Sequence, residues 1–551
     1  MTFRLRSAVA LALPLGLAAA PPELVTRLKA DVAAFAAPEL QGRGDGQEGL
    51  DRAARLALER FRAMGLEARI QEVPYGLPRR GRLEARLLEG GKAQVLAAGR
   101  DLDLFDGEVA LRLSGAPLLY VGYGLSLSAH DDLKGLDLKG RVVVMEAWPR
   151  TEAMEALVVE GGVDIPRAAE GLAARGAVLV LLLQERLHGE PGRLGGATSC
   201  PAGLLRRGGL PGRAGEALAE AARALAPGRP ASRELPVALD LDAKQDLMPH
   251  PLPNVVATLP GSDPRLRDEH VVVGAHLDHL GARDGRVYPG ADDNASGCAG
   301  VLEIARQAAR SPGRRSMSFV LFGGEEEGFL GSAFWVEHPT VPLARVKAMV
   351  NLDCIGRFDP QRELVLTGLG VEPGALARLR GLAPGALKVA VDRGTTPFAY
   401  LSDHASFAAA GIPSFFFFTG VHGDLHHPND TPDRLNAEAM GDITEFALRL
   451  VRDQADAPQP LRFEARPSLA FEPESSKSLR VRRVRGGPVA GPGLRPGDLL
   501  VAVDGQLVSN REELERALAP RRVGECVELR WVRDGREQRG SAVLVAAEMP
   551  H

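Results

Sequence analysis

The sequence predicts an α/β protein built on a mostly parallel, mixed sheet sandwiched by helices, with a β-rich inserted domain. Three observations carry that expectation. The runs EHVVVGA, SMSFVLFGG, VKAMVNLD, ELVLTG and IPSFFFF are continuously apolar, as strands buried on both faces are. Helical stretches such as SGCAGVLEIARQAAR and DHASFAAAG lie between them, and alternating strands and helices imply a largely parallel sheet. From about residue 110 to 240 the texture changes to strands and glycine-rich turns, as in LLYVGYG, RVVVMEA and AVLVLLLQ.

With 551 residues the chain is too long for one core. Arg4 and Arg6, the apolar run Ala8 to Leu17 and the small residues Ala18 to Ala20 have the layout of a secretory signal peptide over residues 1–20. The run is too short to span a bilayer comfortably, so the expectation is cleavage and export to a periplasmic or extracellular space, with no stable membrane span afterwards. Residues 22–75 read as helix, turn, helix, strand, with LQGRGDGQEG as the turn. The main sheet is assigned to 21–109 and 241–453, the insertion to 110–240, a polar proline-containing linker to 454–464, and a further domain to 465–548. The insertion has no clustered acids and is assigned no chemistry.

Apolar residues make up 45% and charged residues 25% of the chain, and the formal charge is −4. A disordered chain has a different balance, and nucleic acid is not an expected partner, because the basic residues are interspersed with acids. Cys200, Cys298, Cys354 and Cys526 match no disulfide framework or zinc knuckle and read as small buried thiols.

Five stretches just past or beside the apolar runs carry acids and histidines: GAHLDH with His276 and Asp278, GADDNASG with Asp292 and Asp293, GGEEEG with Glu325 and Glu326, NLD with Asp353, and HGDLHHPND with His426 and Asp430. In an open α/β sheet, ligands bind beyond the carboxyl ends of the strands. Residues two apart in an extended segment face the same way, so Asp278 can stand behind His276 and fix its tautomer. DDNAS alone reads as a helix cap, and a triple-Glu run alone as a solvated helix start. Asp353 so close to a buried strand needs a compensating partner. Of His422, His426 and His427, at most one is required as a ligand. Histidine nitrogen and carboxylate oxygen suit zinc. Asp292, Glu326 and Asp353 bring three negative charges against the four positive charges of two divalent ions, a balance that one hydroxide completes.

These motifs, with SDHASF, GIP and HHPNDTPD, resemble in order and spacing the co-catalytic dizinc aminopeptidases, which include bacterial leucyl aminopeptidases and the glutamate carboxypeptidase and transferrin receptor relatives. The likeness runs from about residue 250 to 440. It implies a zinc exopeptidase-like fold and two zinc ions. Asp292 would be the bridging ligand, His276 and Asp353 would complete one site, and Glu326 and His426 the other. It implies Glu325 as general base, Asp278 behind His276, and a cis peptide between Asp292 and Asp293. The inserted domain is similar to protease-associated domains. The run LRVRRVRGGPVAGPGLRPGDLLVAVDGQLVSNREELERAL is similar to PDZ domains of exported bacterial proteases, which can hold a peptide or protein C-terminus, although Ala470 stands where the carboxylate-binding loop usually has glycine.

The reading is an exported aminopeptidase acting on peptide substrates through a metal-activated hydroxide. A carboxypeptidase or dipeptidase of the same superfamily is the alternative, with Arg357, Arg393 and Tyr400 as candidates to meet a substrate carboxylate; a catalytically silent peptide-binding protein is the reading from another class.

Overall fold

A computed structural model describes residues 20–98, 100–104, 109–127, 130–146, 171–172, 175–184, 202–206, 210, 212–283, 285–359, 361, 363–385, 387–394, 396–465, 467–469, 471–475, 478–484, 494–495, 497–518, 521 and 525–546. The leader over 1–19, Cys200 and Ala470 lie outside them.

The main sheet has eight strands: β1 (Glu67–Val73), β2 (Leu252–Leu259), β3 (His270–His276), β4 (Ser316–Phe322), β5 (Val346–Leu352), β6 (Leu364–Leu369), β7 (Val389–Asp392) and β8 (Ser414–Phe418). Their order across the sheet is β1-β2-β4-β3-β5-β8-β6-β7. The four central strands β4, β3, β5 and β8 run parallel. β1, β2 and β4 pair antiparallel, as do β8 and β6, so the sheet is mixed.

Helices cover both faces. On one side lie α1 (Pro22–Phe35), α2 (Glu48–Ala63), α3 (Gly297–Arg310), α5 (Pro373–Arg380) and α7 (Ala437–Asp456), and on the other α4 (Leu330–Glu337) and α6 (His404–Ala409). Val271, Val273 and Ala275 of β3 pack in the first core with Phe61 and Phe446, while Val272 packs in the second with Trp335 and Phe407. This alternation explains the unbroken apolar runs: successive side chains point to opposite faces, and both faces are covered.

A second eight-stranded sheet is made by residues 76–249. Its root is the long antiparallel pair Gly76–Glu89 and Arg233–Pro249, and its parallel strands Val142–Glu146, Leu179–Gln184 and Ala202–Arg206 lie between Val109–Tyr120 on one side and Leu102–Leu104 on the other. The described residues within 76–109, and residues 241–249, expected in the main sheet, therefore belong to the second. Local apolar pattern marks a strand without saying which sheet it joins, and here the two chain segments entering and leaving the insertion pair with each other. A six-stranded unit follows α7, with Leu479, Leu500, Leu529 and Trp531 in its core. α7 itself runs three residues, 454–456, into the expected linker. Ala455 is buried there, and Arg315 donates to the carbonyls of Gln454 and Ala457.

Among the described residues no helix is long and apolar enough to cross a membrane.

Candidate metal centre

The carboxyl ends of the central strands bring the motif residues together. His276 closes β3, Asp353 follows β5, Glu325 and Glu326 lie in the turn after β4, and His426 lies in the loop after β8. His276 Nε2 is 3.2 Å from Asp353 Oδ1 and 3.2 Å from Asp293 Oδ1. His426 Nε2 is 3.0 Å from Asp293 Oδ2 and 3.2 Å from Glu326 Oε2. One carboxylate thus serves both clusters, and it is that of Asp293.

The expectation of Asp292 as the shared ligand is corrected by this geometry. The Asp292 carboxylate turns away to accept from the Gly356 amide at 2.6 Å and lies 3.1 Å from His422 Nε2. The backbone amides of Asp292 and Asp293 both donate to Asp430, which fixes the turn with Asp293 facing inward. The cis peptide is likewise Asp293–Asn294 rather than Asp292–Asp293. Two adjacent residues of one type cannot be ranked by spacing. Only the path of the turn, set by the left-handed Gly290 at φ 57°, decides which one points in.

Asp278 differs in detail from its expected role. His276 Nδ1 lies 3.2 Å from the Asp278 carbonyl oxygen and 3.8 Å from its carboxylate. The backbone carbonyl is therefore the nearer orienting group, while Asp278 Oδ2 accepts from the Glu326 amide. Glu325 places a carboxylate oxygen within 4.8 Å of ligand atoms of His276 and Asp353.

One residue that sequence reasoning passed over is His279, fully buried, with Nδ1 2.7 Å from Glu326 Oε1. It holds the Glu326 oxygen that does not face His426. Its signal was its place in GAHLDH, but three polar residues in four positions did not say which were inside. Arg43 and Asp403 were not singled out either, and His422 was named only as one of three loop histidines. Of the thiols, Cys298 Sγ donates to the His276 carbonyl and is pushed up to about 12 chiefly by burial.

The electrostatics describe a site built around positive charge. Burial works to raise Asp293, yet His279 and the hydrogen bonds from His276 and His426 outweigh it and hold the carboxyl well below its usual range. Glu326, also opposed by burial and by Asp293, is brought down to about 2 by His279 and His426. His426 is raised to about 10, first by its hydrogen bonds to Asp293 and Glu326. Glu325 is different: burial, reinforced by Asp353, Glu326 and Asp403 against His276, holds its carboxyl well above the carboxylate range. Asp403, buried, is raised to about 7 mainly by burial.

The donor set fits zinc. Ligands each about 2.0–2.2 Å from a tetrahedral ion stand roughly 3.3 Å from one another, close to the 3.0–3.2 Å nitrogen–oxygen separations in both clusters. Imidazole and carboxylate are also the right ligand chemistry.

An α/β sheet with a shared carboxylate between two imidazole–carboxylate clusters at its strand ends defines a site of the two-metal-binding type. Residues 254–451 match peptidase family M28, and residues 467–542 match the PDZ domain. The site-bearing part of the chain is thus similar to peptidase family M28, and the stretch similar to the PDZ domain follows it. Aminopeptidase YwaD of Bacillus subtilis is 30% identical over 215 residues, 37% of this chain and 46% of that protein. A probable leucine aminopeptidase of Trichophyton verrucosum is 29% identical over 228 residues, 39% of this chain and 62% of that one. The chain thus spans about half the length of the curated relatives it matches. Among solved structures, the aminopeptidase from Aneurinibacillus sp. strain AM-1 superposes with a TM-score of 0.54 at 22% identity, covering 80% of this chain and 96% of the other. The zinc aminopeptidase BSAP of Bacillus subtilis gives 0.54 and 22%, covering 79% and 96%. The shared fold therefore extends beyond the residues the family match covers.

Proposed function

We propose that this chain is an exported zinc aminopeptidase that removes N-terminal residues from peptides at a two-metal site. The observation that carries the reading is the pair of clusters sharing Asp293. His276 and Asp353 would hold one zinc ion with Asp293 Oδ1, and Glu326 and His426 the other with Asp293 Oδ2. Held by these residues, zinc would supply Lewis-acid chemistry, lowering the pKa of water toward about 7 and polarising a peptide carbonyl.

The protein's own groups do the rest. Glu325 stands apart from the Glu326 carboxylate and is the group able to take a proton from the attacking water and deliver it to the leaving amine. His279 orients Glu326, and the Asp278 carbonyl orients His276. Asp430 and the Gly356 amide hold the 292–293 turn. Export rests on the composition of residues 1–20, and the second sheet is read as a protease-associated insertion. The PDZ domain is a site for a peptide or protein C-terminus.

The aminopeptidase relatives favour aminopeptidase over carboxypeptidase. Of the cations that could meet a substrate carboxylate, Arg357 Nη2 is paired with Asp424 at 2.8 Å while its Nη1 has no hydrogen-bond partner among the described residues, and Arg434 is bound to the same acid. Arg393 Nε donates to the Val371 carbonyl. Purified protein assayed with aminoacyl and N-blocked reporters, with and without chelator, tests the reading. Cleavage confined to free-amine substrates and abolished by chelator is expected; turnover only of blocked, free-carboxylate peptides would transfer the assignment to the carboxypeptidase class.

A further inference from the structure

We propose that Arg43 is a positioning residue for the metal-holding cluster. Its guanidinium clamps the turn that carries Asp293 onto the end of the strand that carries His276, and so sets the spacing of those two groups. The inference rests on the two-metal reading above, and its test separates failure of the one from failure of the other.

Arg43 has no exposed surface. A guanidinium has five N–H donors, and all five are used on backbone carbonyls. Nε donates to Leu277 at 2.8 Å. Nη1 donates to Phe35 at 2.6 Å and to Pro289 at 2.8 Å. Nη2 donates to Gly290 at 2.9 Å and to Asp293 at 3.5 Å. Leu277 directly follows His276, and Pro289, Gly290 and Asp293 belong to the turn that aims the Asp293 carboxylate. Phe35 ends α1, where the negative end of the helix dipole favours a cation. One side chain therefore joins the end of α1, the end of β3 and the Asp293 turn.

The backbone that delivers Arg43 is unusual. Gln41, Gly42 and Arg43 are consecutively left-handed, at φ 48°, 73° and 55°. Strained backbone of this kind persists where the surrounding structure enforces it. The enforcing contacts are on the site side: the His279 amide donates to the Arg43 carbonyl and the Gly281 amide to that of Gly42. A Cβ on Gly42 would lie 2.2 Å from the Tyr288 carbonyl, so the segment is pressed against the loop between β3 and the Asp293 turn.

Stability alone is a poor reason to bury such a group, because desolvating a cation is costly even when it is paired. Arg315 provides the contrast. It too is buried, but it pairs with Glu269 at 2.7 Å and ties the start of β4 to the end of α7, away from the strand ends that hold the cluster. Lysine offers three donors and no fork, so Arg43→Lys keeps the charge and loses the clamp.

The experiment compares the full chain, stripped by chelator, with Arg43→Lys and with Arg315→Lys. Each is titrated with cobalt(II), reading both the dissociation constants and the visible absorption of the bound metal, alongside the melting temperature. Arg43→Lys is expected to bind about 10–100-fold more weakly, the range for orienting groups behind metal ligands, with altered absorption. Arg315→Lys is expected to melt lower but to bind like the parent. Parent-like affinity and spectrum in Arg43→Lys would overturn the role of Arg43, as would equal weakening in both variants. A parent chain taking up fewer than two cobalt ions would overturn the two-metal reading instead. Hydrogen exchange on the parent protein decides the matter if Arg43→Lys does not fold. Linkage is reciprocal, so cobalt is expected to slow exchange at 40–44 together with 289–294, and unchanged exchange at 40–44 would overturn the proposal.

Discussion

The two eight-stranded sheets of this protein treat buried charge in opposite ways. In the second sheet each buried acid in question has a local partner. Glu146, closing the strand Val142–Glu146, accepts from the Tyr120 hydroxyl at 2.8 Å. Asp132 accepts from the amides of Tyr123 and Leu125 and lies 2.8 Å from His130 Nε2. At the strand ends of the main sheet, Asp278, Asp293, Glu325, Glu326 and Asp353 crowd around three imidazoles. Like charges at this separation oppose each other's ionisation. A polypeptide tolerates such crowding where a cation repays it, and that contrast, more than the presence of acids, separates a site from a scaffold.

The largest effect on that contrast is expected from Asp293→Asn, which removes the carboxylate common to both clusters. Metal content measured after dialysis should fall well below two per chain and hydrolysis should be lost, by more than the ~10–100-fold typical of orienting groups. Asp292→Asn should stay within that smaller range. If the two variants behave in the reverse order, the geometry assigned to the turn is wrong.

Glu325→Gln comes next. It should keep both metals while turnover drops by about 100–10,000-fold, the usual span for a general acid–base group. Parent-like turnover at full metal content would remove Glu325 from the chemistry.

A third expectation concerns protons. In the metal-free protein His276 is held well above its ordinary value by Asp353, Glu325 and the hydrogen bonds to Asp293 and Asp353, against burial, and His426 is raised to about 10. Both are therefore protonated at pH 7 and must lose a proton to bind metal. Metal affinity should rise with pH up to about 10, where His426 loses its proton unaided, and fall as pH drops. Calorimetry in buffers of different ionisation enthalpy should show proton release on binding at pH 7; none would mean that the imidazoles are already neutral.

The smallest effect on hydrolysis should come from the second sheet. Asp132→Asn leaves a buried imidazole and two backbone amides without their anion, so the melting temperature should fall, while kcat/KM on short reporters stays within about twofold, as for substitutions far from reacting groups. A large loss of hydrolysis without loss of stability would show that the insertion contributes to the site.

Much of this was legible in the chain. The apolar runs became β3, β4, β5, β6 and β8, because residues buried on both faces need no polar alternation. Shorter elements were not: β7 has only four residues, half of them exposed to some degree, and its pattern is too brief to read. The site motifs were legible because strand ends carry ligands in this architecture, and the resemblance then singled out His276, Glu325, Glu326, Asp353 and His426 within them. Asp293, His279 and Arg43 could not be singled out, since each depends on which way a turn points.

Order along the chain was enough to determine that apolar strands alternate with helices and that acids and histidines follow those strands, because periodicity and side-chain chemistry are local properties. The tertiary structure alone decided which of two neighbouring aspartates is shared, which sheet the described residues within 76–109 join, and that an arginine 250 residues before Asp293 reaches its turn. Those outcomes depend on chain direction in space and on contacts between distant segments, and no local pattern encodes either.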